Sequence, residues 1–144
     1  MIAVDSNVLI AAHRSRFAQH EAALAALRRL VEGDEPFGLP IFVLAEFIRV
    51  VTHPRFLRPP TPLEIAVRTL DHLVSSANAR LLSPGDRYWP RLRDAALDGR
   101  ATGNRAFDAQ IAAVCAEHGV RTILTEDRDF ARFAWLEVRG LEPS

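Results

Sequence analysis

The chain has 144 residues, of which 49% are hydrophobic and 25% are charged, and its formal net charge at pH 7 is zero. These values are typical of one globular domain over residues 1–144, and they exclude a disordered chain and a molecule that is basic over its whole surface. All 18 basic side chains are Arg, which excludes any mechanism that needs a lysine.

Location and redox state are also constrained by composition. The single cysteine, Cys115, excludes an internal disulfide framework and favours a reducing cytoplasm. No apolar run approaches the ~20 residues of a membrane span. The first apolar run contains Asp5 and Asn7 and has no basic segment before it, so we expect a cytoplasmic protein without an export signal.

Short apolar runs alternate with segments rich in helix formers along the whole chain. The predicted strands are 2–5, 37–39, 80–82, 120–125 and 135–138. The predicted helices are 18–31, 41–52, 62–76, 88–97 and 105–118, the last with Asn104 as its N-cap. Such alternation predicts a mostly parallel sheet covered by helices on both faces.

Four acidic residues stand where packing gives them little reason to be. Asp5 and Asp127 follow predicted strands, and Asp108 shares the apolar side of its helix with Ile111 and Cys115. Glu46 is the only acid in helix 41–52, which is apolar nearly all round and is therefore predicted to be buried on every side.

Each acid taken alone has a structural alternative. Asp5 could cap a following helix, Glu46 could pair with Arg49 one turn on, Asp108 could stabilise the helix dipole, and Asp127 could belong to a polar turn. Taken together, carboxylates converging to ~5 Å would repel by about 3 kcal/mol per pair at an effective dielectric of 20. Such a cluster requires protons or a cation.

An all-carboxylate site favours Mg²⁺ or Mn²⁺, and the five histidines lack the spacing of a zinc site. A cation held in this way assists phosphodiester hydrolysis without a lysine or a nucleophilic serine.

Four sequence blocks carry a resemblance to a known family. The blocks are Val4-Asp5-Ser6-Asn7-Val8-Leu9-Ile10, Ala45-Glu46-Phe47-Ile48-Arg49, Thr102-Gly103-Asn104 followed by Phe107-Asp108-Ala109-Gln110-Ile111-Ala112-Ala113, and Thr125-Glu126-Asp127-Arg128-Asp129-Phe130. In this order the chain resembles the PIN-domain ribonucleases, and most closely the VapC toxins of type II toxin–antitoxin systems. The resemblance implies a three-layer α/β/α sandwich and an endoribonuclease dependent on Mg²⁺ or Mn²⁺.

The resemblance also implies roles for individual residues. Asp5, Glu46, Asp108 and Asp127 match the acidic set that binds metal and catalyses, while Asn7, Thr125 and Asp129 match supporting positions. Glu126 departs from the pattern, which leaves the choice among Glu126, Asp127 and Asp129 open, and Asp127 is the residue chosen. A VapB-type antitoxin and a homodimer are the implied protein partners.

An RNA substrate would require basic contacts. The candidates follow catalytic strand ends or belong to the proline-rich loop, residues 54–62, and they are Arg14, Arg16, Arg49, Arg55 and Arg58. For any single arginine the alternative is a solvated charge, and Phe56 or Trp89 could stack on a base or belong to the core.

Two other functions remain as alternatives. An aspartyl-phosphate enzyme ordinarily uses a lysine, which this chain lacks, and its phosphatase form has an acid where Asn7 stands. A PIN-fold binding module without catalysis ordinarily lacks one of the acids, and all four are present.

Overall fold

The computed structural model describes residues 1–141, whose five strands form one sheet in the order β3-β2-β1-β4-β5, with every neighbouring pair parallel. The strands are β1 (Ile2–Val4), β2 (Phe37–Pro40), β3 (Ala79–Leu82), β4 (Thr122–Leu124) and β5 (Glu137–Arg139). The central strands are largely buried, whereas β3 and β5 at the edges are mostly exposed.

Six α-helices and one 3₁₀ helix connect the strands. They are α1 (Ser6–His13), α2 (His20–Glu32), α3 (Ile41–Val51), α4 (Leu63–Val74), α5 (Tyr88–Asp98), α6 (Arg105–Glu117) and the 3₁₀ helix Arg128–Arg132. Helix α1 contacts both α2 and α3, α3 contacts α4, and α5 packs against α6. Right-handed crossovers place these two groups on opposite faces, which confirms the predicted α/β/α sandwich. None of the helices within residues 1–141 is both long and apolar enough to cross a membrane.

The strand order places a crevice between β1 and β4. The chain runs outward from β1 through β2 to β3 and then returns to pair β4 with the other side of β1, in the register Val4 to Leu124. Loops after β1 and β4 therefore leave in opposite directions, and open α/β sheets bind ligands at this point. Asp5 and Thr125 are the first residues after the two strands.

Three local predictions were incomplete or wrong. Helix α1 was not predicted, because a short apolar run beside β1 gives no clear period. Helix α3 is not buried on every side: Val43, Phe47 and Val51 face the core, while Ala45 and Arg49 are exposed, because α3 belongs to an outer layer.

The predicted N-cap of α6 is also wrong. The Asn104 side chain makes no capping hydrogen bond, and its backbone is already helical at φ −63° and ψ −19°. An N-cap side chain reaches the following N–H groups from an extended backbone, which Asn104 does not have.

Candidate metal centre

Asp5 is fixed at the carboxyl end of β1 by three hydrogen bonds. Its Oδ1 accepts from the Ser6 backbone N–H at 2.8 Å, so Asp5 caps α1, and its Oδ2 accepts from Thr125 Oγ1 at 2.7 Å and from Asn7 Nδ2 at 3.2 Å. The residue is only 5% exposed. The helix-capping alternative for Asp5 is therefore confirmed, and the same carboxylate lies at the crevice between β1 and β4.

Thr125 connects the two strand ends. Besides donating to Asp5, its Oγ1 accepts from Asn7 Nδ2 at 2.9 Å and from the Asp127 backbone N–H at 3.0 Å. Thr125 is only 1% exposed, so its hydroxyl makes these hydrogen bonds away from solvent. The hydroxyl thus holds the backbone of Asp127 close to the end of β4.

The 3₁₀ helix after β4 turns two acids to the same side. Asp127 has an extended backbone and its Oδ1 accepts from the Asp129 N–H at 2.9 Å, which caps the helix Arg128–Arg132. Glu126 points elsewhere: its Oε1 accepts from Gln19 Nε2 at 2.7 Å and its Oε2 from the Leu141 N–H at 2.8 Å. Among the three neighbouring acids, Asp127 and Asp129 therefore face the crevice.

Asp108 approaches from the first turn of α6. Gly103, at a φ of +60° that disfavours other residues, turns the chain into this helix. Single carboxylate oxygens of Asp108, Asp127 and Asp129 all lie within 4.8 Å of one another, and we call these three residues the acid cluster. Each pair repels by about 3 kcal/mol at an effective dielectric of 20.

Burial, and after it the neighbouring carboxylate charges, raise the pKa values of two acids at the site. Burial raises the pKa of Asp5 from 3.8 to about 6, against the hydrogen bonds from Thr125 and Ser6 that lower it, and the charges of Glu46 and Asp127 raise it further. The pKa of Asp108 also rises from 3.8 to about 6, first through burial and then through the charges of Asp127, Asp5 and Asp129. Strongly raised carboxyl pKa values in a crevice are typical of functional sites.

The donor set fits a hard divalent cation. Oxygens that bind one ion at 2.0–2.6 Å lie within about 5 Å of each other, and the acid cluster meets this spacing. Carboxylate oxygen is the ligand type that Mg²⁺ and Mn²⁺ prefer. Cys115, by contrast, is buried beneath the site with its pKa raised to about 12, chiefly by burial, so it contributes no thiolate.

The predicted acidic set overlaps the acid cluster only in part. Asp108 and Asp127 belong to both, and Asp129, expected to be a supporting residue, takes its place beside them. Asp5 and Glu46 lie outside the cluster as defined within residues 1–141, although the charge of Glu46 reaches Asp5 and raises its pKa. Asn7 and Thr125, expected to be supporting residues, both donate hydrogen bonds to Asp5 Oδ2, and their supporting role stays a prediction.

The candidate RNA-binding arginines differ in how exposed they are. Arg14 is partly buried and donates to Thr61 Oγ1 at 3.2 Å and to the Pro59 carbonyl at 2.7 Å, which ties α1 to the proline-rich loop. The other four are exposed, namely Arg16, Arg49, Arg55 and Arg58. The Arg49 guanidinium lies 5.7 Å from the ring centroid of Phe56, which is 47% exposed. Their role in RNA binding stays a prediction.

Sequence reasoning missed Arg105. This residue begins α6, and its guanidinium lies 3.2 Å from Asp129 Oδ2. The available signal was its position three residues before Asp108, which places both side chains on the same side of the helix.

The chain is similar to known proteins over nearly its whole length. The PIN domain model matches residues 2–136. Ribonuclease VapC43 of Mycobacterium tuberculosis is 44% identical over 139 residues, covering 96% of this chain and 94% of that protein. Ribonuclease VapC25 of the same species is 34% identical over 143 residues, covering 99% of each.

Solved structures share the fold at lower identity. VapC20 of Mycobacterium tuberculosis, a sarcin-ricin loop cleaving toxin, has a TM-score of 0.70 at 19% identity, over 96% of this chain and 99% of that one. VapBC2 from Rickettsia felis has a TM-score of 0.66 at 21% identity, over 97% and 98%. The fold and the crevice define a PIN domain. The chain belongs to the PIN-domain family and, within it, to the VapC ribonucleases.

Proposed function

We propose that the protein is a Mg²⁺- or Mn²⁺-dependent endoribonuclease that acts as the toxin of a type II toxin–antitoxin module. The observation that carries the proposal is the acid cluster, three carboxylates within 4.8 Å at the crevice between β1 and β4. Curated relatives named ribonucleases, at 34% to 44% identity over nearly the full length, support RNA as the substrate.

Each acidic residue has a proposed role. Asp108, Asp127 and Asp129 would hold the cation, with Asp5 beside them as a further ligand. A bound divalent cation would polarise a phosphoryl oxygen and lower the pKa of a water molecule. Asn7 and Thr125 would keep Asp5 in position through the hydrogen bonds already described.

Hydrolysis requires a proton acceptor close to the attacking water. As the water oxygen forms its bond to phosphorus and the bond to the leaving sugar oxygen breaks, Glu46 or Asp127 would accept the proton of the water. Glu46 suits this role because it lies outside the acid cluster yet is close enough to influence the charge of Asp5.

The RNA strand would follow the exposed arginines near α3 and the proline-rich loop. Arg49, Arg55 and Arg58 would contact phosphates, and Arg16 would do so beyond the end of α1. Phe56, with the Arg49 guanidinium over its ring, offers a surface on which a base can stack. Arg14 would act indirectly, because its guanidinium already holds the loop.

A VapB-type antitoxin is the proposed protein partner. VapBC2 from Rickettsia felis and VapBC-1 from nontypeable Haemophilus influenzae share this fold, which supports a toxin that is paired with an antitoxin. A homodimer located in the cytoplasm completes the proposal.

The test compares RNA cleavage by the wild type, Asp108→Asn and Glu126→Gln in Mg²⁺, in Mn²⁺ and in a chelator. We expect cleavage by the wild type only with a divalent cation and a loss of at least about 100-fold in Asp108→Asn, because the site loses a charged ligand. Glu126→Gln is the matched control, since its carboxylate points away from the acid cluster. A wild type that cleaves no RNA with either cation would favour the non-catalytic binding module.

A further inference from the structure

The guanidinium of Arg105 partly balances the negative charge of the acid cluster. Within residues 1–141, Arg105–Asp129 is the one ion pair made by any acid of the cluster, with Arg105 Nη2 lying 3.2 Å from Asp129 Oδ2. The other two ion pairs of these residues join sequence neighbours on the surface, Arg93 with Asp94 and Arg139 with Glu137. The Arg105 pair is therefore distinct in place and in sequence separation.

The ion pair between Arg105 and Asp129 lies near the surface, and neither side chain is buried in the core. Arg105 and Asp129 are 44% and 42% exposed, so either side chain can turn toward water. Arg132, the nearby arginine of the 3₁₀ helix, differs because it donates to the carbonyls of Asp129, Gly99 and Arg100 and so holds backbone together. Arg105 therefore places its guanidinium beside the carboxylates that a cation would bind.

A divalent cation and this guanidinium would interact with the same carboxylate, because Asp129 belongs to the acid cluster and is also the partner of Arg105. Asp127 Oδ1 already accepts the Asp129 N–H, and Asp129 Oδ2 faces Arg105, so a cation entering the acid cluster approaches a site with a positive charge on its rim. Two positive charges within a few ångströms repel, and both cannot keep their full interaction with one carboxylate.

We propose that Arg105 is a built-in counter-ion that a divalent cation must displace from Asp129, so that Arg105 lowers the affinity of the site for metal when RNA is absent. This inference rests on the proposed function, because it takes the acid cluster as the metal site. Arg105 acts through Asp129 and is therefore a positioning residue.

The experiment measures Mn²⁺ binding to the full chain without RNA, by electron paramagnetic resonance of free Mn²⁺ and by calorimetry. The variants are Arg105→Gln, which removes the charge, and Arg105→Lys, which keeps it. Arg93→Gln is the matched control, because it breaks an exposed ion pair of α5 at 3.3 Å.

We expect Arg105→Gln to bind Mn²⁺ about three- to ten-fold more tightly than the wild type at low salt, as the loss of one partly screened positive charge implies. Arg105→Lys and Arg93→Gln should bind like the wild type. The difference between Arg105→Gln and the wild type should shrink at high salt, because exposed charges are screened, whereas a purely structural effect would not follow ionic strength.

Equal or weaker Mn²⁺ binding by Arg105→Gln would overturn the inference and leave the proposed function standing, since the wild type would still bind the metal. Tighter binding by Arg105→Lys as well would also overturn it, because charge would then not be the cause. A wild type that binds no Mn²⁺ at millimolar concentration would remove the metal site itself, and the role of Arg105 with it.

Discussion

Asp5 and Asp108 share a pKa raised to about 6, but they lie in opposite surroundings. Asp5 is almost fully buried and receives hydrogen bonds from Ser6, Asn7 and Thr125. Asp108 is partly exposed, faces two other carboxylates, and receives no hydrogen bond to its side chain from residues 1–141. The protein therefore supplies hydrogen-bond donors to Asp5, whereas the proposed cation would balance the charge of Asp108.

This difference predicts that Asp5 matters mainly for folding and that Asp108 matters mainly for the proposed cation binding. Removing the donors of Asp5 should disturb the native structure, because buried polar groups would lose their partners. Removing the charge of Asp108 should instead relieve repulsion in the metal-free protein and weaken the metal-bound one. Four measurements test this division.

The first measurement is the stabilisation that a cation provides. At a Mn²⁺ concentration 100 times its dissociation constant, the free energy of unfolding of the wild type should rise by about 2.7 kcal/mol. Asp108→Asn should lose most of this gain, whereas Glu137→Gln on β5 should keep it. Thermal unfolding with and without Mn²⁺ gives the values, and an equal gain in Asp108→Asn would contradict the assignment of Asp108 as a ligand.

The second measurement is the cost of removing the Thr125 hydroxyl. Thr125→Val keeps the shape but takes a donor from Asp5 and an acceptor from Asn7 and Asp127. We expect a loss of about 2 kcal/mol in urea unfolding, because buried groups lose their partners. Thr69→Val, at an exposed hydroxyl of α4 that donates to the Ile65 carbonyl, should change stability by less than about 0.5 kcal/mol. Similar losses in the two variants would refute the special status of Thr125.

The third measurement follows the metal-free protein with pH. Because the pKa values of Asp5 and Asp108 are raised from 3.8 to about 6 on folding, their contribution to stability is complete below about pH 4 and is lost as the pH rises through about 6. At about pH 7.5, Asp108→Asn should therefore be more stable than the wild type by about 1 kcal/mol, a value reduced for solvent screening.

At about pH 4 the Asp108→Asn advantage should vanish, because the wild-type carboxyl group is then largely protonated. Urea unfolding in a chelator across this range measures the difference. A constant gap at every pH would show that the substitution acts through packing and not through charge.

The fourth measurement compares the two helix starts beside the site. Asp5 caps α1 with its side chain, whereas Asn104 makes no capping bond to α6. Asn104→Ala should therefore cost less than about 0.5 kcal/mol, below the ~1 kcal/mol typical of a working cap. A cost of about 1 kcal/mol or more would mean that Asn104 caps α6 in solution.

The sequence predicts the parallel sheet and the positions of the acids after its strands for a physical reason. A buried strand tolerates few polar residues, so an apolar run that stops at Asp5 or just before Asp127 marks its own carboxyl end. The outer layer is harder to foresee, as the exposed side of α3 shows, since Ala45 and Ile41 do not reveal whether another helix covers them.

The parts of the site that depend on backbone geometry were not predictable in the same way. Asp129 joins the cluster because Asp127 caps a 3₁₀ helix, and nothing in the sequence distinguishes that turn from an ordinary polar loop. The contact of Arg105 with Asp129 depends on how α6 meets the same turn. Both features require the tertiary structure.

The pairing of β1 with β4 also has a consequence during synthesis. Thr125 donates to Asp5 across a separation of 120 residues, and Asp127 and Asp129 lie further along the chain. A growing polypeptide therefore carries Asp5 through the addition of 120 further residues before Thr125 can donate to it. The acid cluster can assemble only after Asp129 has been added to the chain.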